Sequence, residues 1–114
     1  MNSLRNSVRL IGHLGTNPEV KVFEKGTKKV RLTLATNESY KDNDGKKVEE
    51  TEWHTLIAWG PKADFIEKYF AKGNEVAIEG RLTSSNYTDK GGIKRYVTEI
   101  IINDIMSVGK KIAE

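Results

Sequence analysis

Apolar residues recur at every second position through most of this chain. Over residues 7–14, Val8 and Leu10 alternate with Ser7, Arg9 and Ile11. Over residues 27–38, Val30, Leu32, Leu34 and Thr36 alternate with Arg31, Thr33 and Ala35. Residues 52–59 set Trp53, Thr55, Ile57 and Trp59 against His54, Leu56 and Ala58. Residues 75–83 oppose Val76, Ile78 and Leu82 to Ala77, Glu79 and Arg81. Residues 95–103 oppose Val97, Glu99 and Ile101 to Tyr96, Thr98, Ile100 and Ile102. Successive strand residues point to opposite faces, so each run predicts a half-buried strand. Turn-forming clusters separate the runs: Gly15-Thr16-Asn17-Pro18, Lys25-Gly26, Asp42-Asn43-Asp44-Gly45 and Asp89-Lys90-Gly91-Gly92. One segment changes period. Residues 61–72 carry Ala63, Ile66, Tyr69 and Phe70 at helical spacing. Pro61 suits the first helical position, and Gly73 suits the left-handed position after the last turn.

Five strands with one helix between the third and fourth is the element order of the OB-fold. The fold expected is therefore all-β, a five-stranded barrel with one helix, as a single domain spanning residues 1–114. OB-folds bind oligonucleotides, oligosaccharides or proteins, so this order leaves function open.

Composition narrows the choice. There are no cysteines, which removes disulfides, thiolate metal sites and cysteine nucleophiles. The longest run of large aliphatics is Ile100-Ile101-Ile102, too short for a membrane span or a signal-peptide core. A soluble, cytoplasmic protein is expected. His13 and His54 are the only histidines and lack ligand spacing, and both read as structural. No phosphate loop, dinucleotide fingerprint or nucleophile elbow occurs, so neither a catalytic residue nor a cofactor is expected. Glu49, Glu50 and Glu52 form a carboxylate cluster expected in a loop, as a solvated turn or a weak cation site. The net charge is +3, with 19 Lys+Arg against 16 Asp+Glu, and residues 1–40 hold the basic excess.

The aromatics are more informative. Trp53 and Trp59 fall on one strand face. If Leu56 and Ala58 point inward, both indoles point outward. The opposing reading buries them in the core or a subunit interface, where Trp is usually found. Tyr40 and Tyr87 are expected at the edges of polar loops. Lys41, Lys62, Arg81, Lys94 and Arg95 accompany these rings in sequence. Exposed rings interleaved with cations suit single-stranded nucleic acid, because every base has a face to stack and every phosphate a charge to neutralise.

Several segments resemble the bacterial and mitochondrial single-stranded DNA-binding proteins. They are Asn6-Ser7-Val8-Arg9-Leu10-Ile11-Gly12-His13-Leu14-Gly15-Thr16-Asn17-Pro18-Glu19-Val20, Leu34-Ala35-Thr36-Asn37-Glu38-Ser39-Tyr40, Thr51-Glu52-Trp53-His54, Ile78-Glu79-Gly80-Arg81-Leu82 and Arg95-Tyr96-Val97-Thr98-Glu99-Ile100. They occur in the family's order and span nearly the whole chain. The resemblance implies base stacking at Tyr40, Trp53, Trp59 and Tyr87; Arg9, Lys62, Arg81 and Arg95 are the cations expected to join them in binding the strand. Tyr replaces the commoner Trp at 40 and 87, and Trp replaces a common Phe at 59. The resemblance also implies a homotetramer, with His54 near its contacts and the first strand, through Val8 and Leu10, as a dimer surface. It implies nucleoid association and work in replication, recombination and repair. Ser7 stands where the family often has Lys, and His13 where Asn is usual. Many bacterial members continue into a flexible linker and an acidic tip that recruits replication and repair enzymes. The sequence stops at Lys110-Lys111-Ile112-Ala113-Glu114, so that recruitment is not assigned. Two rival readings share the barrel: a primosomal, plasmid or phage replication accessory factor, and a protein-interaction barrel that buries its tryptophans between subunits.

Overall fold

The computed structural model describes residues 4–109. Its strands are β1 (Val8–Leu14), β2 (Glu19–Val22), β3 (Lys28–Lys41), β4 (Lys47–Trp59), β5 (Glu75–Thr88) and β6 (Lys94–Ser107), with α1 (Pro61–Tyr69) between β4 and β5. The sheet order is β1-β5-β6-β4-β3-β2, and β1 also pairs with β3. That last pairing, His13 to Ala35 and Leu14 to Leu34, closes β1, β3, β4, β5 and β6 into the five-stranded OB-fold barrel. Antiparallel neighbours supply every other junction except β4 with β6, which run parallel at Leu56–Ile100 and Ile57–Ile101.

The sixth strand, β2, is not among the five alternating runs of the sequence. It is four residues long, exposed throughout, and pairs only with the start of β3. Four residues with no buried position offer no core-facing pattern, so alternation could not reveal it.

The barrel interior is filled as the alternation predicts. Leu14, Val30, Leu32, Leu34, Leu56, Ala58, Val76, Ile78 and Ile102 are buried in one cluster, and Ala63, Ile66 and Phe70 of the helical segment join it. Each such large side chain contributes roughly 1.5–3 kcal/mol when fully buried. Ile100 also belongs to this core at 4% exposure. Closure requires β1 to cross close over β3. A Cβ at Gly12 would run into the carbonyl of Ala35, so only glycine fits there. Opposite Glu79 and Gly80, β6 carries one extra residue, Asn103, as a bulge, and a Cβ at Gly80 would meet the Ile101 carbonyl.

α1 starts at Pro61, as expected, but ends at Tyr69 rather than at residue 72. The Ala71 amide donates to Asn74 Oδ1 and the Lys72 amide to Asn17 Oδ1, each at 2.9 Å. These side-chain acceptors replace helical carbonyls, so the chain leaves the helix three residues early. Lys28 ties α1 to β3 by ion pairs to Asp64 at 2.8 Å and Glu67 at 2.6 Å. Among the described residues no helix is long and apolar enough to cross a membrane.

β3–β4 and β5–β6 continue beyond the barrel as two long hairpin arms. β4 and β6 are parallel and both begin at an arm tip, so both arms leave the same end of the barrel. Their tips share one turn chemistry. Asp42 Oδ1 accepts from the amides of Asp44 and Lys46, and Asp89 Oδ1 from those of Gly91 and Ile93.

Candidate nucleic-acid interface

Strand parity decides which side chains share a face. Leu56 and Ala58 are fully buried, so the opposite parity of β4 presents Trp53 and Trp59 outward, 63% and 42% exposed. The sequence expectation for both indoles holds. Ile57 lies between them on the same face but is only 1% exposed. Register carries this face across the sheet, because Arg31 pairs with Ile57, Ile57 with Ile101, and Ile101 with Arg81. Six residues further along β5, Tyr87 faces the same way and pairs with Arg95. Tyr87 is 56% exposed.

The two indoles sit on built floors. Trp53 lies so close over Gly15 that a Cβ there would collide with the indole. The Gly15 turn is held in turn against β3: the Gly15 amide donates to the Thr33 carbonyl at 2.9 Å, and the Thr33 amide to Thr16 Oγ1 at 3.3 Å. Trp59 stacks on Phe23, with ring centroids 5.8 Å apart and planes inclined by 24°. Lys29 Nζ stands 5.4 Å from the Trp59 ring centroid.

Tyr40 is exposed on the β3–β4 arm and pairs with Val48, which places it on the ribbon face opposite Trp53. Its hydroxyl donates to Glu50 at 3.2 Å. The carboxylates expected in a loop lie within β4, because β3 and β4 pair continuously from Lys29–Trp59 to Lys41–Lys47. Strand parity separates Glu49 from Glu50 and Glu52. Glu49 meets Lys47 at 3.5 Å, and among the described residues no group of three His, Cys, Asp or Glu side chains gathers to hold a metal.

The four expected phosphate-binding cations divide. Arg81 and Arg95 share the aromatic face. Arg95 Nε donates to Asp89 Oδ2 at 2.9 Å. That bond, then the amides of Ile93 and Gly91, hold the Asp89 carboxyl below its ordinary range. Arg9 and Lys62 stand beside carboxylates of β5 and β6. Arg9 pairs with Glu79 at 3.0 Å, and Lys62 on α1 approaches Asp104 at 4.0 Å. Glu79 and Asp104 are register partners, so both cations are drawn to the β1–β5–β6 side.

The expected oligomer-contact residues point mostly inward. Val8 and Leu10 are half-buried against the barrel's own core. The outward apolar residue of β1 is Ile11, 61% exposed. It pairs with Ala77, which pairs with Met106, 63% exposed, so one apolar row crosses three strands. His54 is half-buried on the inward parity of β4, its Nε2 3.0 Å from Thr36 Oγ1.

Sequence reading missed Phe23, Lys21 and Lys29 as members of the aromatic face. The available clue was the alternation of Glu19, Lys21 and Phe23 just before the Lys25-Gly26 turn.

Known proteins resemble this chain. The model of the single-strand binding protein family matches residues 5–108. Single-stranded DNA-binding protein 1 of Chlorobaculum tepidum is 47% identical over 107 residues, covering 93% of this chain and 66% of that protein. The chain thus spans just under two thirds of that relative's length. Single-stranded DNA-binding protein 1 of Xylella fastidiosa is 41% identical over 107 residues, covering 93% and 79%. A solved structure described as Plasmodium falciparum SSB complex with ssDNA matches with a TM-score of 0.83 and 32% identity, covering 95% of this chain and 97% of that one. A closed OB-fold barrel, an outward aromatic face and matches along nearly its whole length lead to one assignment: the chain belongs to the single-strand binding protein family.

Proposed function

We propose that this chain binds single-stranded DNA with little sequence preference and shields it during replication, recombination and repair. The observation that carries this is the shared outer face of Trp53, Trp59 and Tyr87 with Arg81 and Arg95. Bases stack on the exposed rings, and the cations take the phosphates between them. Tyr40 adds a ring on the far face of its arm, where a strand passing around the β3–β4 hairpin meets it. The work is binding, and no bond is made or broken. Duplex DNA binds poorly, because its bases are already stacked and cannot reach the rings. Arg9 and Lys62 contribute to the general positive field rather than to a phosphate beside a stacked base. Quenching of tryptophan fluorescence by oligo(dT), with duplex DNA as competitor, tests the proposal. Strong quenching that duplex fails to compete away is expected. Equal competition by duplex would mean that backbone charge alone is read, and would overturn it.

The working form is a homotetramer. Ile11, Ala77 and Met106 make a row of apolar surface on the outside of β1, β5 and β6, of the kind that subunit contacts cover. Val8, Leu10 and His54 support this contact from behind, by fixing the course of β1 and β4.

A further inference from the structure

We infer that Phe23 and Trp59 together form a nucleobase platform, so that the DNA path runs off β4 onto the β2–β3 hairpin. The inference rests on the reading of the aromatic face given above. The two rings are nearly parallel, at 5.8 Å and 24°, and neither is buried, at 37% and 42% exposure. They border an open, largely apolar cleft of about 470 Å³, lined by Phe23, Glu24, Lys25, Thr27 and Trp59. A flat ring fits such a hollow. A phosphate gains little there, because the walls offer ring faces and the charges of Glu24 and Lys25 offset each other. Phosphate partners stand just outside. Lys21 Nζ is 5.1 Å from the Phe23 centroid, and Lys29 Nζ is 5.4 Å from that of Trp59. In the free protein these ammonium groups take the ring faces. When a base covers the ring, the flexible lysine stem carries the charge over to the phosphate of the same nucleotide.

A purely structural role would have Phe23 staple the hairpin to β4. The hairpin has its own supports: the Phe23 amide donates to Thr27 at 2.9 Å, the Gly26 amide to Phe23 at 2.8 Å, and four register pairs join β2 to β3. Phe23→Leu therefore keeps apolar bulk and removes only the ring. The test titrates oligo(dT) into wild type, Phe23→Leu and Trp53→Ala, with melting temperatures in parallel. The same wild-type chain is also photocrosslinked to iodouracil-substituted oligo(dT), and the adduct peptide is mapped. Expected are an affinity loss of about fivefold or more for Phe23→Leu at an unchanged melting temperature, and an adduct on the peptide carrying Phe23. Wild-type affinity in Phe23→Leu beside weakened Trp53→Ala would overturn the platform and leave the wider reading standing. If Phe23→Leu melts early, the crosslink decides: an adduct at Trp53 with none at Phe23 overturns the platform. Failure of the wild type itself to bind oligo(dT) overturns both.

Discussion

Trp53 shows how one side chain is prepared for contact. Its indole is held against Gly15, yet remains 63% exposed. The ring is thereby fixed in orientation before any base arrives, so little rotamer freedom is lost on stacking. Trp53→Ala should weaken oligo(dT) binding by roughly 1–3 kcal/mol per subunit without unfolding the barrel. Isothermal titration beside a melting curve checks both halves of that statement. Gly15→Ala is the more discriminating change. It retains the indole but drives a methyl group into its seat, so the ring must tilt away. Binding should weaken as for Trp53→Ala, though less, while the intrinsic tryptophan emission shifts in the free protein. Unchanged emission and affinity would show that the seat does not matter.

Among the elements, the β5–β6 arm depends on its tip. Asp89 holds the Gly91 and Ile93 amides with one oxygen and Arg95 with the other. Its folded pKa is depressed, chiefly by Arg95. Turn stabilisation is therefore complete above the ordinary carboxylate value, and is lost as pH falls through the lowered folded value. Amide exchange at Gly91 and Ile93 should stay slow at a pH where free carboxylates are half protonated, and quicken below it. Arg95→Gln should move that transition upward, toward the ordinary carboxylate pKa of about 3.9. Asp89→Ala should fray the tip around Tyr87 at every pH and leave barrel melting nearly unchanged. At the opposite extreme stands Gly12, where β1 closes on β3. Gly12→Ala forces Cβ into the Ala35 carbonyl. A loss of roughly 1–3 kcal/mol, seen as a melting temperature lower by about 5 °C or more, is expected.

For the whole molecule, salt separates stacking from charge. Affinity for single strands falls with added salt at a logarithmic slope of about −0.7 per phosphate contacted. The net charge is only +3, and several cations are already held by carboxylates: Arg9 by Glu79, Arg31 by Glu19 and Arg95 by Asp89. The slope should therefore be shallow for the footprint, with stacking carrying the larger share. Oligo(dT) should bind better than oligo(dA), which must first unstack. Assembly is tested separately. Ile11→Glu places a charge in the middle of the Ile11–Ala77–Met106 row. Sedimentation should show tetramer for the wild type at micromolar concentration and smaller species for the variant. A single-chain mass for the wild type would overturn the tetramer.

Period-two alternation was enough to place the five barrel strands and to set both tryptophans on the face opposite Leu56 and Ala58. Each of those depends only on which side of one strand a residue faces, and a strand alternates whatever it is paired with. The helix start was equally legible, since Pro61 acts through its own ring. What lies between strands was not. The early end of α1 depends on Asn17 and Asn74, the former 55 residues from the amide it accepts. Ile100 turned inward because the Leu56–Ile100 register puts it beside a core residue. The polar runs around Tyr40 and Tyr87 became strands because each found a partner strand to complete its hydrogen bonds, which no local pattern announces. Phe23 met Trp59, and Arg9 and Lys62 were drawn toward Glu79 and Asp104, for the same reason. Facing is a property of the chain itself, whereas neighbours across a barrel are chosen by closure, and closure exists only in the folded molecule.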